Sequence, residues 1–298
     1  MPDLTLEQER TVPIAERRSH VPPNPQPVPP EKMQVVKILP DSLSVFIFRP
    51  DNIEQDKKLP VIIDYHGGGF FLPLQEWMYP SSYALANELQ SVVVSVDYRV
   101  APEHRFPAAV QDCYNTYKWV VANAGSFGGD SNRIMLNGAS AGANLATVVS
   151  LLAKEDGLDR HIKMVSLFCP NLDNPINATH ASYTENAKGY GLTKNNIIWV
   201  TENYSSHLAA DTLDFRMFPM KAKNLSGLPP TIIYTAEFDL FRDEGAAYAK
   251  KLEAAKVPVL FRCFPGQLHV LTGLPPDAKE WEQISNDMMQ YMKIYVTE

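Results

Sequence analysis

The chain is poor in cysteine, and its three cysteines are widely spaced. Cys113, Cys169 and Cys263 form no Cys-x-x-Cys pair, so the sequence indicates neither a disulfide framework nor a cysteine-rich metal site. A His-x-x-x-His spacing, which would suit a zinc site, is also missing. We therefore expect neither a metal nor a cofactor.

Long apolar runs and clusters of basic residues are missing as well. No apolar stretch approaches the roughly 20 residues that span a bilayer, and none resembles a secretory leader. The 27 basic and 34 acidic residues give a net charge of -7, without a basic patch that could follow a phosphate backbone. These features argue against nucleic-acid binding and stable membrane insertion, and they predict a reduced, cytoplasmic protein.

The apolar residues that are present alternate with segments of helical periodicity. The 298 residues, of which 45% are hydrophobic, suffice for one large α/β domain. Six apolar runs are predicted to be strands: Val61–Tyr65, Val92–Tyr98, Ile134–Asn137, Met164–Cys169, Thr231–Thr235 and Val259–Phe264. This alternation predicts a mostly parallel sheet with helices on both faces.

The N-terminal part of the chain follows a different pattern. Residues 1–20 alternate charged with apolar side chains and predict a short helix, and the proline-rich Val21–Pro30 predicts a stiff connector. This helix is either a floppy tail or packs over a site elsewhere. Gln34–Leu39 and Leu43–Arg49 are rich in Val, Ile and Phe around the turn residues Pro40–Ser42, which predicts an antiparallel hairpin.

The most informative stretch is Arg133–Leu145. An apolar run that predicts a buried strand meets a Gly-x-Ser-x-Gly motif at Gly138–Gly142, and helical periodicity follows it. Such a strand–turn–helix holds a serine hydroxyl clear of the sheet. Ser140 is therefore the candidate nucleophile, which still needs a base, an acid and donors for an oxyanion.

A glycine-rich segment, His66–Gly69, follows directly on the predicted strand Val61–Tyr65. Three consecutive glycines are conformationally costly, and one reason for them is that backbone N–H groups are left free to face an anion. The alternative is a phosphate loop, but neither a Gly-Lys-Ser/Thr ending nor a G-x-G-x-x-G continuation is present. We interpret the segment as an oxyanion loop.

These motifs occur together in a known family. His66–Gly69, Asp97–Arg99, Pro107–Ala109 and Gly138–Gly142 stand in the order and at the separations of the hormone-sensitive-lipase-like esterases and lipases of the bacterial family IV type. The chain resembles that family from about Val35 to its C-terminus. The resemblance implies an α/β-hydrolase fold, with a mostly parallel central sheet, helices on both faces and a helical cap.

The resemblance also implies which residues bind the oxyanion and which segments form the cap. Backbone N–H groups of Gly68, Gly69 and Ala141 would bind the oxyanion. We predict a single domain over residues 1–298, in which residues 1–30 and an insertion at about 173–228 form the cap.

In these hydrolases the acid and then the base follow the serine, each after a later strand. Asp239, after the strand Thr231–Thr235, fits the acid position, and Glu237 is the second choice. His269, after the strand Val259–Phe264, fits the base. The other histidines after Ser140 do not follow such a strand: His161, His180 and His207. Two acidic residues after Asp239 are instead predicted to open the next helix: Asp243 and Glu244.

The resemblance implies a carboxylic ester hydrolase for short- to medium-chain acyl esters, acting through a Ser-His-Asp triad and an acyl-enzyme. Two alternatives remain open at this stage. One is a lactonase, deacetylase or cyclase of a specialised biosynthetic pathway, and the other is a non-catalytic small-molecule receptor on the same fold. The expected partner is a small-molecule ester, and a homodimer is compatible with the sequence.

Overall fold

The structure, a computed structural model, describes residues 3–19, 27–38, 43–51, 53 and 57–296. The predicted turn at Pro40–Ser42 and most of the predicted proline-rich connector lie outside these residues. The described strands form one eight-stranded sheet. Their bounds are β1 Met33–Ile38, β2 Leu43–Phe48, β3 Leu59–Tyr65, β4 Val92–Asp97, β5 Gly129–Ala139, β6 Ile162–Phe168, β7 Thr231–Phe238 and β8 Val259–Leu268.

The strand order is β1-β2-β4-β3-β5-β6-β7-β8. Strand β2 pairs in antiparallel fashion with β1 and with β4, whereas all pairs from β4 to β8 are parallel. The predicted opening hairpin and the predicted mostly parallel sheet are both confirmed. Because side chains at the carboxyl ends of parallel strands meet at one edge, this order brings the loops after β3, β5, β7 and β8 together.

Ten α-helices are described. They are α1 Leu6–Thr11, α2 Ile14–Arg18, α3 Tyr79–Glu88, α4 Ala108–Asn123, α5 Ala141–Glu155, α6 Ser182–Glu185, α7 Lys194–Tyr204, α8 Leu208–Asp211, α9 Arg242–Ala254 and α10 Lys279–Tyr295. The segment predicted as a cap insertion, residues 173–228, contains α6, α7 and α8.

The sheet is covered on both faces because successive strand residues point to opposite sides. On one face, Ile63 and Leu136 belong to a buried cluster shared with α4, α5 and α9. On the other, Ile62 and Met135 belong to a second cluster shared with α3 and α10. The near-continuous apolar runs recognised in the sequence are the signature of strands buried on both sides.

Strands β7 and β8 extend beyond their predicted ends at Thr235 and Phe264. The two strands resume pairing beyond an irregularity, with Phe238 opposite Leu268. Polar residues and a glycine interrupt the apolar pattern there, so the predicted strands ended too early. The extension fixes the backbone immediately before the predicted acid and the predicted base.

Helix α1 packs against α7, which supports the interpretation that the N-terminal helix lies over another part of the protein. Arg17 pairs with Glu9 at 2.7 Å, with each side chain 4% exposed. The guanidinium of Arg17 also lies 3.7 Å from the centre of the Trp199 ring on α7. Arg18 donates to the carbonyl oxygen of Phe71 at 2.8 Å, which ties α2 to the segment that follows the three glycines.

We expect Arg17→Met to lower the free energy of unfolding by about 3 kcal/mol, since it leaves the buried Glu9 carboxylate without its charged partner. Arg10→Met is a matched control, because Arg10 pairs with Glu202 but is 53% exposed. Urea unfolding curves measure both changes. If Arg17→Met lost no more stability than Arg10→Met, the buried pair would not be important for stability. Adding Glu9→Gln to Arg17→Met should recover part of the lost free energy of unfolding.

Within the ranges described above, no helix is both long and apolar enough to cross a membrane.

Candidate active site

Ser140 occupies the sharp turn between β5 and α5. Its backbone angles are φ 55° and ψ -116°, a strained combination that surrounding structure must maintain. The two flanking glycines are needed because the backbone passes so closely. A Cβ at Gly142 would overlap the carbonyl oxygen of Tyr65, and one at Gly138 would overlap the Gly142 carbonyl. The predicted strand–turn–helix is therefore present with its serine at the turn.

The structure brings the predicted serine, histidine and aspartate together. His269 Nε2 lies 3.0 Å from Ser140 Oγ, and His269 Nδ1 lies 2.9 Å from Asp239 Oδ2. An ionised carboxylate only accepts hydrogen bonds, so it favours the tautomer with the proton on Nδ1 and leaves Nε2 free to accept the serine proton. Asp239 is 1% exposed, and its second oxygen accepts the N–H of Phe241 at 3.1 Å.

The alternative acid, Glu237, has a different partner. Its carboxylate accepts the N–H of Gly266 at 2.6 Å and so joins the end of β7 to the turn within β8. Asp243 and Glu244 lie in the first turn of α9, as predicted. Glu244 is also fully buried and accepts the N–H of Leu172 at 3.0 Å, a long-range contact that the sequence pattern did not indicate.

Four further histidines have other environments. His104 and His207 are exposed, His161 Nδ1 donates to the carbonyl oxygen of Ser131, and His180 pairs with Asp173. None of these four hydrogen-bonds to Ser140 or Asp239 within the described part of the chain. The structure therefore brings only His269 to the predicted nucleophile and acid among these five.

The glycine segment lies against the serine turn. A Cβ built on Gly67 would lie 3.2 Å from the carbonyl oxygen of Ala139 and 3.6 Å from Ser140 Cβ. Gly68 and Gly69 have φ angles of 120° and 58°, which other residues rarely adopt. Their N–H groups donate to no acceptor in the described residues, and Ala141 opens α5, where N–H groups have no partner within the helix. These donors are available to an anion.

His66 holds the glycine segment in place through its contacts with Tyr98 and Gly67. Its ring stacks on Tyr98 with 4.2 Å between ring centres, and its Nδ1 lies 2.7 Å from the Gly67 carbonyl oxygen. The Tyr98 hydroxyl donates to the His66 carbonyl oxygen at 2.7 Å. Burial lowers the pKa of His66 to about 4 because the charged imidazolium would lose its hydration. His66 is therefore a neutral structural residue near pH 7.

This pKa predicts how stability depends on pH. The unfolded chain binds a proton at His66 below about pH 6.5 and the folded protein only below about pH 4. Stability from this residue is thus complete above pH 6.5 and falls, by about 3 kcal/mol in total, as the pH drops to 4. Urea unfolding at several pH values should show a shallower fall for His66→Asn. Equal falls in both proteins would contradict the assignment.

Cys169 is a site residue that the sequence analysis did not single out. It lies directly after β6, is 1% exposed, and its Sγ accepts the N–H of Val270 at 3.3 Å. It thereby contacts the loop that carries His269. Its place at the carboxyl end of a predicted parallel strand, where functional residues collect, was the signal available in the sequence.

Cys169, Asp239 and His269 also place their potential ligand atoms within 4.8 Å of one another. The two ring nitrogens of His269 are, however, engaged by Ser140 and Asp239. Burial raises the pKa of the Cys169 thiol well above its usual value, whereas metals bind the thiolate. The arrangement suits a chain of proton donors and acceptors better than a metal centre.

Ser140 and His269 open into a cavity of about 1170 Å³. Asn196, Ile197 and Val200 of α7 form part of its wall, so the segment after β6 faces the serine. Asn196 also contacts Glu9 of α1, with 3.3 Å between Nδ2 and Oε2. The N-terminal helices thus brace the wall of the cavity from outside.

Sequence comparisons agree with this geometry. A family described as having the alpha/beta hydrolase fold matches residues 62–272. Carboxylesterase NlhH of Mycobacterium tuberculosis is 39% identical over 215 residues, which are 71% of this chain and 66% of that protein, just under two thirds of its length. An arylesterase of Saccharolobus solfataricus is 34% identical over 220 residues, 74% of this chain and 71% of that protein.

Solved structures of esterases are similar over most of the chain. A hyperthermophilic esterase from Pyrobaculum calidifontis superposes with a TM-score of 0.80 at 33% identity, covering 88% of this chain and 84% of that one. EstE1, a thermostable carboxylesterase cloned from a metagenomic library, superposes with a TM-score of 0.81 at 30% identity, covering 98% and 95%. The family and fold predicted from the motifs are therefore confirmed. The chain belongs to the α/β-hydrolase superfamily, in the hormone-sensitive-lipase-like family of the bacterial family IV type.

Proposed function

We propose that this protein hydrolyses carboxylic esters of short- to medium-chain acids through Ser140, His269 and Asp239. The observation that carries the proposal is the continuous hydrogen-bonded chain from Ser140 Oγ through the imidazole to the buried carboxylate. Nothing in a purely structural role requires a strained serine to face a histidine that is itself oriented by an acid.

In the first half of the reaction, Ser140 Oγ attacks the ester carbonyl carbon while His269 Nε2 accepts its proton. The carbonyl oxygen gains negative charge, which the N–H groups of Gly68, Gly69 and Ala141 stabilise. Because these donors are fixed on the backbone, they need no reorganisation as the charge develops, and one such donor lowers the barrier by about 2.7–4 kcal/mol. Asp239 stabilises the imidazolium.

The tetrahedral intermediate then collapses, and His269 protonates the departing alcohol. The acyl group remains bonded to Ser140. In the second half, His269 removes a proton from water, the hydroxide oxygen attacks the acyl carbon, and the proton returns to Ser140 Oγ as the carboxylic acid leaves. The cycle requires only groups that this chain supplies.

The same proposal assigns a role to the segments over the site. Residues 1–30 and about 173–228 act as a cap within a single domain of residues 1–298. Supporting this, α7 lines the cavity that contains Ser140, α1 packs on α7, and Arg17 of α2 contacts Trp199 of α7. A closed cap would exclude bulk water and strengthen the electrostatic interactions at Ser140.

Initial rates on p-nitrophenyl esters from acetate to dodecanoate test the proposal. We expect measurable kcat/KM on the short esters, a maximum within the short to medium range, and a decline for chains that outgrow the cavity. Inactivity on every ester, together with tight binding of small apolar molecules, would instead support a receptor. Activity confined to lactones or acetylated amines would support the more specialised enzymes.

Two expectations about the protein's surroundings remain predictions. One is a cytoplasmic location, and the other is assembly into a homodimer. Cell fractionation tests the location, and sedimentation of the purified protein over a range of concentrations tests the assembly.

A further inference from the structure

Four polar residues form a continuous row across the sheet, one layer below Ser140. The strand register places Asp64 beside Ser95 on one side and Asn137 on the other, and it places Asn137 beside Ser166. They share the sheet face of Ile62 and Met135, which is covered by α3 and α10. Residues of central parallel strands that face a covering helix are ordinarily apolar, so the polar row requires an explanation.

The carboxylate of Asp64 is held only by neutral donors. Its Oδ1 accepts from Asn137 Nδ2 at 2.8 Å, and its Oδ2 accepts from Ser82 Oγ at 3.0 Å. No cationic side chain pairs with it among the residues that the structure describes. Burial raises the pKa of Asp64, as expected for an acid that lacks a counter-ion. Charges shielded from water are normally paired, and the partly exposed Asp64 has no charged partner in the described chain.

Three further polar atoms, in the row or in the cavity lining, also lack partners. Asn137 Oδ1, Ser166 Oγ and Trp77 Nε1 are buried and form no hydrogen bond within the described chain. Because native proteins leave few such groups unsatisfied, each one indicates water or a ligand that completes it. Asn137 Oδ1 and the Asp64 carboxylate both require a donor rather than an acceptor.

The row is connected to the catalytic serine by open space. Asp64, Asn137 and Trp77 line the same cavity as Ser140 and His269. The part of the cavity between α3 and α10 is called the branch below, and residues of both helices form its apolar walls. The walls include Leu85, Leu89, Trp281, Ile284 and Met288.

The cavity lining contains several acids, of which all but Asp64 are exposed to solvent. Besides Asp64, its lining contains Glu88, Asp277 and Glu282, and no Lys or Arg occurs among the lining residues in the described part of the chain. Charges of one sign along a cleft raise the local concentration of the opposite charge. A substrate limb that is cationic at its end and apolar along its length therefore matches both the walls and the floor.

We propose that this branch binds the acyl limb of ester substrates that carry an ammonium group at the far end, with Asp64 as the counter-ion. The inference rests on the proposed ester hydrolysis and names its substrate class. An ammonium has three hydrogens to donate. It supplies both the charge that Asp64 lacks and the donor that Asn137 Oδ1 lacks.

The strand order indicates why the acyl limb occupies this branch. The departing alcohol must face His269 after β8, whereas Asp64 and Ser95 lie on β3 and β4, on the opposite side of β5. The limb that turns away from His269 is the acyl limb. Asn137 lies three residues before Ser140, or about 10 Å of extended chain, so an acyl chain of medium length reaches the row.

Two methyl esters of equal size test the proposal: methyl 6-aminohexanoate, with a terminal ammonium, and methyl heptanoate, with a methyl group in its place. We expect wild-type kcat/KM to be higher for the ammonium ester. Asp64→Asn should lower the ratio of the two kcat/KM values by at least about tenfold. The matched control is Asp156→Asn, which removes an exposed acid near α4 on the other face and should keep the wild-type ratio.

A wild-type preference for methyl heptanoate, or an unchanged ratio in Asp64→Asn, would overturn the proposal. Should Asp64→Asn fail to fold, competition by heptylammonium and by heptanol against p-nitrophenyl acetate decides the matter in the wild type. Stronger inhibition by the ammonium is expected, and equal or weaker inhibition would overturn the proposal. Should no ester be hydrolysed at all, the proposed function fails, and direct binding of heptylammonium and heptanol by calorimetry still tests this site.

Discussion

Replacing Ser140 with alanine is expected to lower kcat for ester hydrolysis by about 10⁶-fold. The loss is this large because the serine oxygen forms the bond to the acyl group, and no neighbouring side chain in the described site replaces it. Alanine lacks only the hydroxyl, so the fold should persist. Stopped-flow and long-incubation assays with p-nitrophenyl butyrate cover the required range of rates.

Ser150→Ala provides the matched control for this variant. Ser150 lies on α5, the helix that follows Ser140, and is buried, but its hydroxyl donates only to the Thr147 carbonyl oxygen, within the helix. Its kcat should remain near that of the wild type. If Ser140→Ala retained more than about one hundredth of the wild-type kcat while folded, the serine mechanism would be wrong, since oxyanion donors alone supply far less.

Asp239→Asn is expected to lower kcat by about 10⁴-fold with little change in KM. The amide is nearly isosteric with the carboxylate, but its NH₂ group would turn toward His269 Nδ1 and favour the tautomer with the proton on Nε2. That tautomer cannot accept the proton of Ser140. The variant therefore tests orientation and charge rather than packing.

Glu237→Gln is the control for Asp239→Asn, because the sequence alone left Glu237 as the second choice for the acid. Its carboxylate bonds to the Gly266 N–H rather than to His269, so we expect kcat close to the wild-type value. A large loss in Glu237→Gln with a small one in Asp239→Asn would reverse the assignment. Steady-state kinetics on a short-chain ester with both variants gives the answer.

Local chemistry explains why the serine turn could be predicted from the sequence. Gly138 and Gly142 are fixed by a close approach of backbone to backbone, and this requirement appears in the sequence as two glycines at a set spacing. The apolar run before them and the helical periodicity after them are equally local. Asp239 and His269 were identified differently: the resemblance implies an acid and then a base after the serine, and the ends of two apolar runs located them.

Other features depend on contacts between distant segments and left no local pattern. Glu244 appeared in the sequence as an acid at a helix start, and only the fold shows its carboxylate buried against the Leu172 N–H. The row through Asp64 and Asn137 is a further example, because it becomes visible only when the strand order and register are known. In the sequence each is a single polar residue near the end of an apolar run.

The N-terminal segment shows the same limit. The sequence left a floppy tail and a packed helix as alternatives, since amphipathic periodicity over so few residues is weak. The buried pair of Arg17 with Glu9, and the contact of Arg17 with Trp199, decide in favour of packing for the described residues 3–19. A charged pair of this kind cannot be recognised before its partners are known to be buried.

The most direct test of the account is to identify the residue that becomes covalently modified. Diethyl p-nitrophenyl phosphate reacts with an activated serine, whose oxygen displaces p-nitrophenolate from phosphorus. Mass spectrometry of the digested protein should find one diethylphosphoryl group, on Ser140, in proportion to the activity lost, and none in His269→Ala treated alike. Inactivation with the group on any other residue, or full inactivation with Ser140 unmodified, would contradict Ser140 as the nucleophile.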